Sequence, residues 1–338
     1  MSSKIDFDKL CFSITPGDTM FISKCKADGV WDKGACLPYG DIPISPAAGV
    51  LNYGQGLFEG LKAMRTKTGK VVLFRPSENG KRMTEGAHRV CMPPFPVDRF
   101  VEVICEIVRR NVAFVPPYGK GSLYIRPCLW GTGPVLGVSP APEFTFMVYV
   151  SPVGQYFKTG VKPIKLEITR DFHRAAPKGT GGVKSIGNYA GAMLPAKITK
   201  AKGFNECIYL DAHEDKYIEE VGAANFFCVK DHTLLTPKLG SILPGITRKS
   251  VMQIAQDVMG LQVIEKSLSV EEAFSADEAF CSGTAAVISP IGSITCEDQV
   301  KIYQDFEVGP VTQSLYDHLT RIQLCEEEDR FGWVVEVM

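Results

Sequence analysis

The chain has 338 residues, 45% of them apolar and 22% charged, with a formal net charge of −1. That length suggests roughly two domains, and the composition is that of a globular protein able to bury sizeable cores. The charge balance gives no reason to bind nucleic acid or an anionic membrane, and the longest apolar stretch, residues 144–150, is too short to span a bilayer.

In chain order, the pattern predicts a strand at 18–25, Pro- and Gly-rich turns, helices at 78–90 and 98–113, and strands at 122–130 and 143–150. Residues 1–150 read as a small N-terminal α+β domain. Residues 151–162, rich in Gly, Pro and aromatics, read as the interdomain connector. Residues 163–338 read as a larger C-terminal domain. Its predicted strands lie at 164–169, 206–211, 225–229, 278–281 and 301–303, its helices at 188–201, 247–259 and 311–321. Strands outnumber helices without regular alternation, which favours a barrel-like or mixed-sheet α+β domain over a doubly wound parallel sheet.

The 11 cysteines are never closer than 11 residues apart and the five histidines form no HxxxH pair, so no metal site is expected. The cysteines read as small buried apolar residues of a reducing compartment. The N-terminus carries neither a signal-peptide core nor the Arg- and Ser-rich, acid-poor character of a transit peptide. It reads as cytoplasmic, with an organelle location the alternative if a transit peptide has been removed. Gly54-x-Gly56-x-x-x-Gly60 and Gly131-x-Gly133-x-x-x-Gly137 each have one residue too many for a dinucleotide fingerprint, and no GxxxxGK[ST] occurs.

Four segments carry chemistry. Lys184 follows Gly179-Thr180-Gly181-Gly182-Val183 and precedes Ser185-Ile186-Gly187-Asn188-Tyr189. Glycines allow close backbone approach to a bulky group, and a desolvated lysine amine can form a Schiff base with an aldehyde. Leu243-Pro244-Gly245-Ile246-Thr247-Arg248 opens a predicted helix, so the free N–H groups of Ile246 and Thr247 suit an anion. Ser282-Gly283-Thr284-Ala285 is small enough to form an N–H nest with a hydroxyl donor. Glu220 precedes Val221-Gly222-Ala223-Ala224-Asn225, and if buried it needs a cationic partner such as a protonated ring nitrogen. Taken singly, these read first as a solvated loop lysine, a helix cap, a tight turn and a solvated glutamate. Together they supply an amine, an anion nest and a carboxylate, the three needs of pyridoxal 5′-phosphate (PLP).

The ordered set Phe74-Arg75-Pro76, Tyr124-Ile125-Arg126-Pro127, Lys184-x-x-Gly187-Asn188-Tyr189, Glu220-x-Gly222-x-x-Asn225, Leu243-Pro244-Gly245-Ile246-Thr247-Arg248 and Ser282-Gly283-Thr284-Ala285 resembles the class IV aminotransferases. Within them it is most similar to the plant-like eukaryotic branched-chain amino acid aminotransferases, over residues 18–333. The resemblance implies the two-domain α+β architecture of fold-type IV PLP enzymes and a homodimer with the site between the domains.

It also implies roles. Lys184 matches the Schiff-base lysine and proton shuttle, Glu220 the partner of the ring nitrogen, and Tyr189 the tyrosine at the 3′-oxygen. Arg82, Ile246, Thr247 and Thr284 match the phosphate site, and the Thr284 and Ala285 backbone matches the α-carboxylate site. Tyr53, Phe58, Tyr124, Arg126 and Tyr156 match the substrate pocket. There, apolar walls would take Leu, Ile or Val, and Arg126 the γ-carboxylate of glutamate. The implied reaction is amino transfer from those amino acids to 2-oxoglutarate. A D-amino-acid aminotransferase or a 4-amino-4-deoxychorismate lyase is the alternative. Unlike some animal relatives, the chain has Ala286 and Ser289 where a redox CxxC would stand.

Overall fold

The computed structural model describes residues 5–154 and 161–338. By internal contacts the chain divides into two units. One comprises Met1–Lys158, Val183–Ile186 and Arg321–Met338; the other comprises Thr159–Gly182 and Gly187–Thr320. The four residues around Lys184 therefore group with the N-terminal unit, although the chain on either side belongs to the other.

In the first unit, the long strands Ser122–Gly131 and Glu143–Val153 pair antiparallel along their length and form the middle of an eight-stranded sheet. Thr19–Lys26 and Ala35–Pro38 extend it on one side, and Leu61–Arg65 and Val71–Phe74 on the other. The C-terminal strand Val334–Glu336 closes that second edge by pairing with Val71–Phe74. Two helices, Pro76–Arg89 and Val97–Arg110, cover the sheet. The second buries Phe100, Val103, Ile104, Ile107 and Val108, a helical-period apolar stripe, and ends in Arg109-Arg110, which complement the helix dipole. The first starts with Pro76, whose missing N–H costs nothing at that position. Phe95 stacks on Phe146 at 3.9 Å between ring centroids within this core.

The second unit is built on a closed ring. Ala224–Lys230, Glu278–Gly283, Val287–Cys296, Ile164–Thr169, Glu206–Leu210 and Tyr217–Val221 pair in that order, and the last pairs back to the first. The barrel-like expectation is realised as this six-stranded barrel, which leaves none of those six strands with a bare edge. Phe227 and Phe280 stack at 4.9 Å.

Two differences from the sequence reading have physical causes. The helix expected at 188–201 forms as two pieces, Ile186–Ala190 and Met193–Ala201. Gly191 falls at the break, and Pro195 is placed in the first turn of the second piece, where its lack of an N–H is harmless. The strand Val287–Cys296 escaped notice because Pro290 and Gly292 lie inside it and disguise its pattern. Among the described residues, no helix is long and apolar enough to cross a membrane.

Candidate active site

The residues of interest form one constellation in each unit. In the first, the short strand Gly56–Phe58 pairs with Ser122–Gly131 on one side and meets the Lys184 segment on the other. Leu57 bridges to Ser185, and the Phe58 N–H donates to the Lys184 carbonyl at 3.3 Å. This pairing fixes the lysine backbone, and its side chain lies with Nζ 4.7 Å from the centre of the Phe58 ring. The Arg126 guanidinium lies 4.6 Å from the same ring and 5.2 Å from that of Tyr124. An aromatic face attracts both cations. Arg126 Nη2 also donates to the Tyr124 hydroxyl at 3.1 Å, while its buried Nε has no hydrogen-bond partner among the described residues.

The strand register explains this grouping. Tyr124, Arg126 and Cys128 alternate onto one face of the sheet, and Phe58 stands opposite Cys128 on that face. Gly60 is required here, because a Cβ at that position would lie 2.1 Å from the Tyr124 hydroxyl oxygen. Tyr53 is 41% exposed and donates through its hydroxyl to the Leu136 carbonyl. Tyr156 lies outside the described residues.

Arg82 projects from the helix Pro76–Arg89 onto Glu59, which is completely buried. Its Nε and Nη2 reach the two carboxylate oxygens at 2.8 and 2.7 Å, and Asn79 Nδ2 adds a third bond at 2.8 Å. This two-point grip fixes the plane of the guanidinium. Glu59 sits next to Phe58 in sequence, so the strand that holds Lys184 leads directly to the carboxylate that orients Arg82.

In the second unit, Glu220 is 1% exposed and pairs with Arg174 Nη2 at 2.7 Å. Asn225 Nδ2 donates to Glu220 at 3.2 Å and to the Leu243 carbonyl at 3.0 Å, and the Leu243 N–H donates back to Glu220 at 3.4 Å. The carboxylate and the turn before the helix Ile246–Asp257 are thus tied through one asparagine. Gly245 makes this possible: a Cβ there would be 2.0 Å from Asn225 Oδ1. The helix begins at Ile246, so the N–H groups of Ile246 and Thr247 belong to its first turn.

Ser282 stands opposite Asn225 in the barrel, and its buried hydroxyl has no hydrogen-bond partner among the described residues. Thr284 and Ala285 follow in the turn after that strand. Tyr189 lies on the short helix Ile186–Ala190. The loop containing Lys184 is closed by a reciprocal pair at 2.7 Å, with Thr180 Oγ1 donating to Asn188 Oδ1 and Asn188 Nδ2 to the Thr180 carbonyl.

Each constellation, taken by itself, holds groups that suit one part of PLP. A buried carboxylate held by a guanidinium suits a protonated ring nitrogen. A helix start beside an unpartnered buried hydroxyl suits a phosphate, and an amine packed on an aromatic face suits an aldehyde.

Comparison with known proteins decides the family. The model of amino-transferase class IV matches residues 56–294.

The chain belongs to the class IV aminotransferases.

This class IV aminotransferase is 52% identical to the chloroplastic branched-chain-amino-acid aminotransferase 5 of Arabidopsis thaliana, covering 99% of this chain and 81% of that protein. It is 43% identical to the methionine aminotransferase BCAT4 of the same plant, covering 99% and 94%. The T.th. branched-chain amino acid aminotransferase, solved with pyridoxamine 5′-phosphate, superposes with a TM-score of 0.83 at 28% identity, covering 96% of this chain and all of that one. The enzyme is accordingly a PLP-dependent transaminase with the fold-type IV architecture that the sequence motifs imply.

The sequence reading did not single out Glu59, Asn79 or Arg174. Glu59 stood within a motif read only for its aromatics. Asn79 lies three residues before Arg82 on one helix face, a spacing that could have suggested a shared partner. Arg174 gave no signal, because its partner lies 46 residues away in sequence.

Proposed function

We propose that this enzyme moves the amino group of L-leucine, L-isoleucine or L-valine to 2-oxoglutarate, giving the branched 2-oxo acid and L-glutamate. The observation that carries the reading is the shared environment of Lys184 and Arg126 on the Phe58 ring. It sets an amine, an aromatic wall and a half-buried cation on one face. An aliphatic side chain suits the wall, and a γ-carboxylate suits the guanidinium.

When bound, PLP supplies the electron sink for the negative charge that develops at the substrate Cα. Lys184 Nζ would hold the aldehyde carbon and, once displaced from it by the substrate amine, would as a free amine carry a proton to and from Cα. Glu220, with Arg174 behind it, holds the proton on the ring nitrogen. Arg82, with Ile246, Thr247 and Thr284, binds the phosphate, and Tyr189 donates to the 3′-oxygen. The Thr284 and Ala285 N–H groups take the substrate α-carboxylate. Tyr53, Phe58, Tyr124, Arg126 and Tyr156 contact its side chain. The working form is a homodimer, and the location is the cytoplasm or, as the name of the chloroplastic relative supports, an organelle.

The BCAT4 likeness supports a second substrate class, unbranched thioether side chains such as methionine, for which the same apolar wall would serve. A coupled assay of the full chain with 2-oxoglutarate and L-leucine, L-isoleucine, L-valine, L-methionine or D-alanine tests the proposal. The branched L-amino acids are expected to give the highest kcat/KM. Preference for D-alanine, or no amino transfer from leucine, would overturn it. Sedimentation tests the dimer, and cell fractionation tests the location.

A further inference from the structure

Glu219 and Glu220 are neighbours in one strand, and both are buried. Regular alternation would send two adjacent side chains to opposite faces. Here the pairing with Glu206–Leu210 shifts register between Ile218 and Glu220, so Glu219 is the extra residue of a bulge. Glu220 has Arg174. Glu219 is only 6% exposed, accepts one hydrogen bond from Ser241 Oγ, and leaves its Oε2 with no partner among the described residues.

Ser241 links the two acids. Its hydroxyl holds Glu219 while its carbonyl accepts from Arg174 Nη1 at 3.2 Å, and Arg174 Nη2 holds Glu220. One guanidinium therefore serves a cluster of two buried carboxyl groups. A second ionised carboxylate with an unsatisfied oxygen is costly in such a place, and the cost is avoided by keeping a proton.

We propose that Glu219 is a positioning residue that acts through Ser241 and Arg174 to set how strongly Glu220 attracts a proton on its ligand. The role toward Glu220 rests on the reading of Glu220 as partner of the ring nitrogen.

The charged and titratable groups around Glu219 act in both directions. Burial pushes its carboxyl above the ordinary range, and Asp211 adds to this. The Ser241 hydrogen bond, Arg174 and His173 oppose it, and burial prevails. When Glu219 loses its proton, Arg174 is shared between two anions and the cluster gains a negative charge. A proton facing Glu220 is then held more tightly.

The test compares the full chain, supplied with PLP, with its Glu219→Gln variant from pH 5 to 9. Gln keeps the shape and the Ser241 contact but cannot ionise. In the folded wild type the acid keeps a proton that the unfolded chain releases above the ordinary glutamate range. Its stability relative to the variant therefore falls as pH rises from that range through the folded value. Melting curves are expected to draw further apart as pH rises from 5, with the variant gaining on the wild type until the folded acid has lost its proton. Ser241→Ala removes a bond that favours the ionised form and moves the separation to higher pH. Curves for Glu219→Gln and wild type with no pH-dependent gap would overturn the tighter hold of folded Glu219 on its proton.

The absorption of bound PLP, followed against pH, tests the coupling. Its titration is expected at lower pH in Glu219→Gln, where the extra negative charge never forms. An unmoved titration would overturn the coupling. A protein that takes up no PLP would remove the role toward Glu220, whereas the melting curves separately decide the state of Glu219.

Discussion

Glu59 and Arg82 form a buried two-point ion pair, with Nε on one carboxylate oxygen at 2.8 Å and Nη2 on the other at 2.7 Å. Asn79 shares the second oxygen. Removing one member of such a pair leaves an uncompensated charge, at a cost of roughly 3–5 kcal/mol. Glu59→Ala is expected to lose about that much in denaturant unfolding and to bind PLP more weakly, because Arg82 loses its orientation. Unfolding within about 1 kcal/mol of wild type, with PLP affinity intact, would show that the pair is incidental.

Arg174 occupies the corresponding place behind Glu220. Arg174→Ala strands a buried carboxylate, which then takes up a proton itself and no longer serves a cationic nitrogen. Turnover is expected to fall on the order of 10²-fold or more, the scale of a lost acid–base contribution. Arg174→Lys retains the charge and should recover part of the loss. Equal kcat in wild type and Arg174→Ala would detach Arg174 from the chemistry.

Arg126 is the residue proposed to distinguish the two kinds of substrate. Its guanidinium has a buried Nε without a partner among the described residues and a Tyr124 hydroxyl on Nη2. In Arg126→Ala, kcat/KM for glutamate is expected to fall by about 1.5–3 kcal/mol, the worth of a hydrogen bond to a charged group. The loss for leucine should be smaller. Equal losses would assign the γ-carboxylate to another residue.

Two glycines give separable effects. In Gly60→Ala the new methyl meets the Tyr124 hydroxyl at 2.1 Å, and in Gly245→Ala it meets Asn225 Oδ1 at 2.0 Å. The first displaces the partner of Arg126, so KM for amino acid substrates should rise more than the PLP dissociation constant. The second breaks the tie between Glu220 and the turn before Ile246, so PLP affinity should fall first. A reversed pattern would mean that these constellations are assigned to the wrong ends of the ligand.

The sequence revealed the parts of this fold that repeat a local pattern. The helices around 78–90 and 98–113 and the long strands from 122 and 143 formed within a few residues of expectation, because their apolar periodicity is strong. Barrel closure was legible only as an excess of strands. The pairing of Tyr217–Val221 with Ala224–Lys230 that closes the ring has no local signature. For the site, glycine-rich and small-residue motifs pointed to Lys184, Glu220, Ile246 and Thr284, since backbone approach and N–H nests demand particular residue types. Their charge partners were not legible. Glu59 and Arg174 satisfy their partners across 23 and 46 residues of chain, and a lone acid or base in sequence gives no sign of what it faces.

The most direct measurement of the central claim is the visible absorption spectrum of the PLP-supplied protein and its Lys184→Ala variant, before and after adding L-leucine. In the wild type, the cofactor band should be lost with leucine and restored by 2-oxoglutarate. In the variant, PLP should still bind through the phosphate site, but leucine should give no turnover. A Lys184→Ala protein that cycles between leucine and 2-oxoglutarate at the wild-type rate would contradict the account.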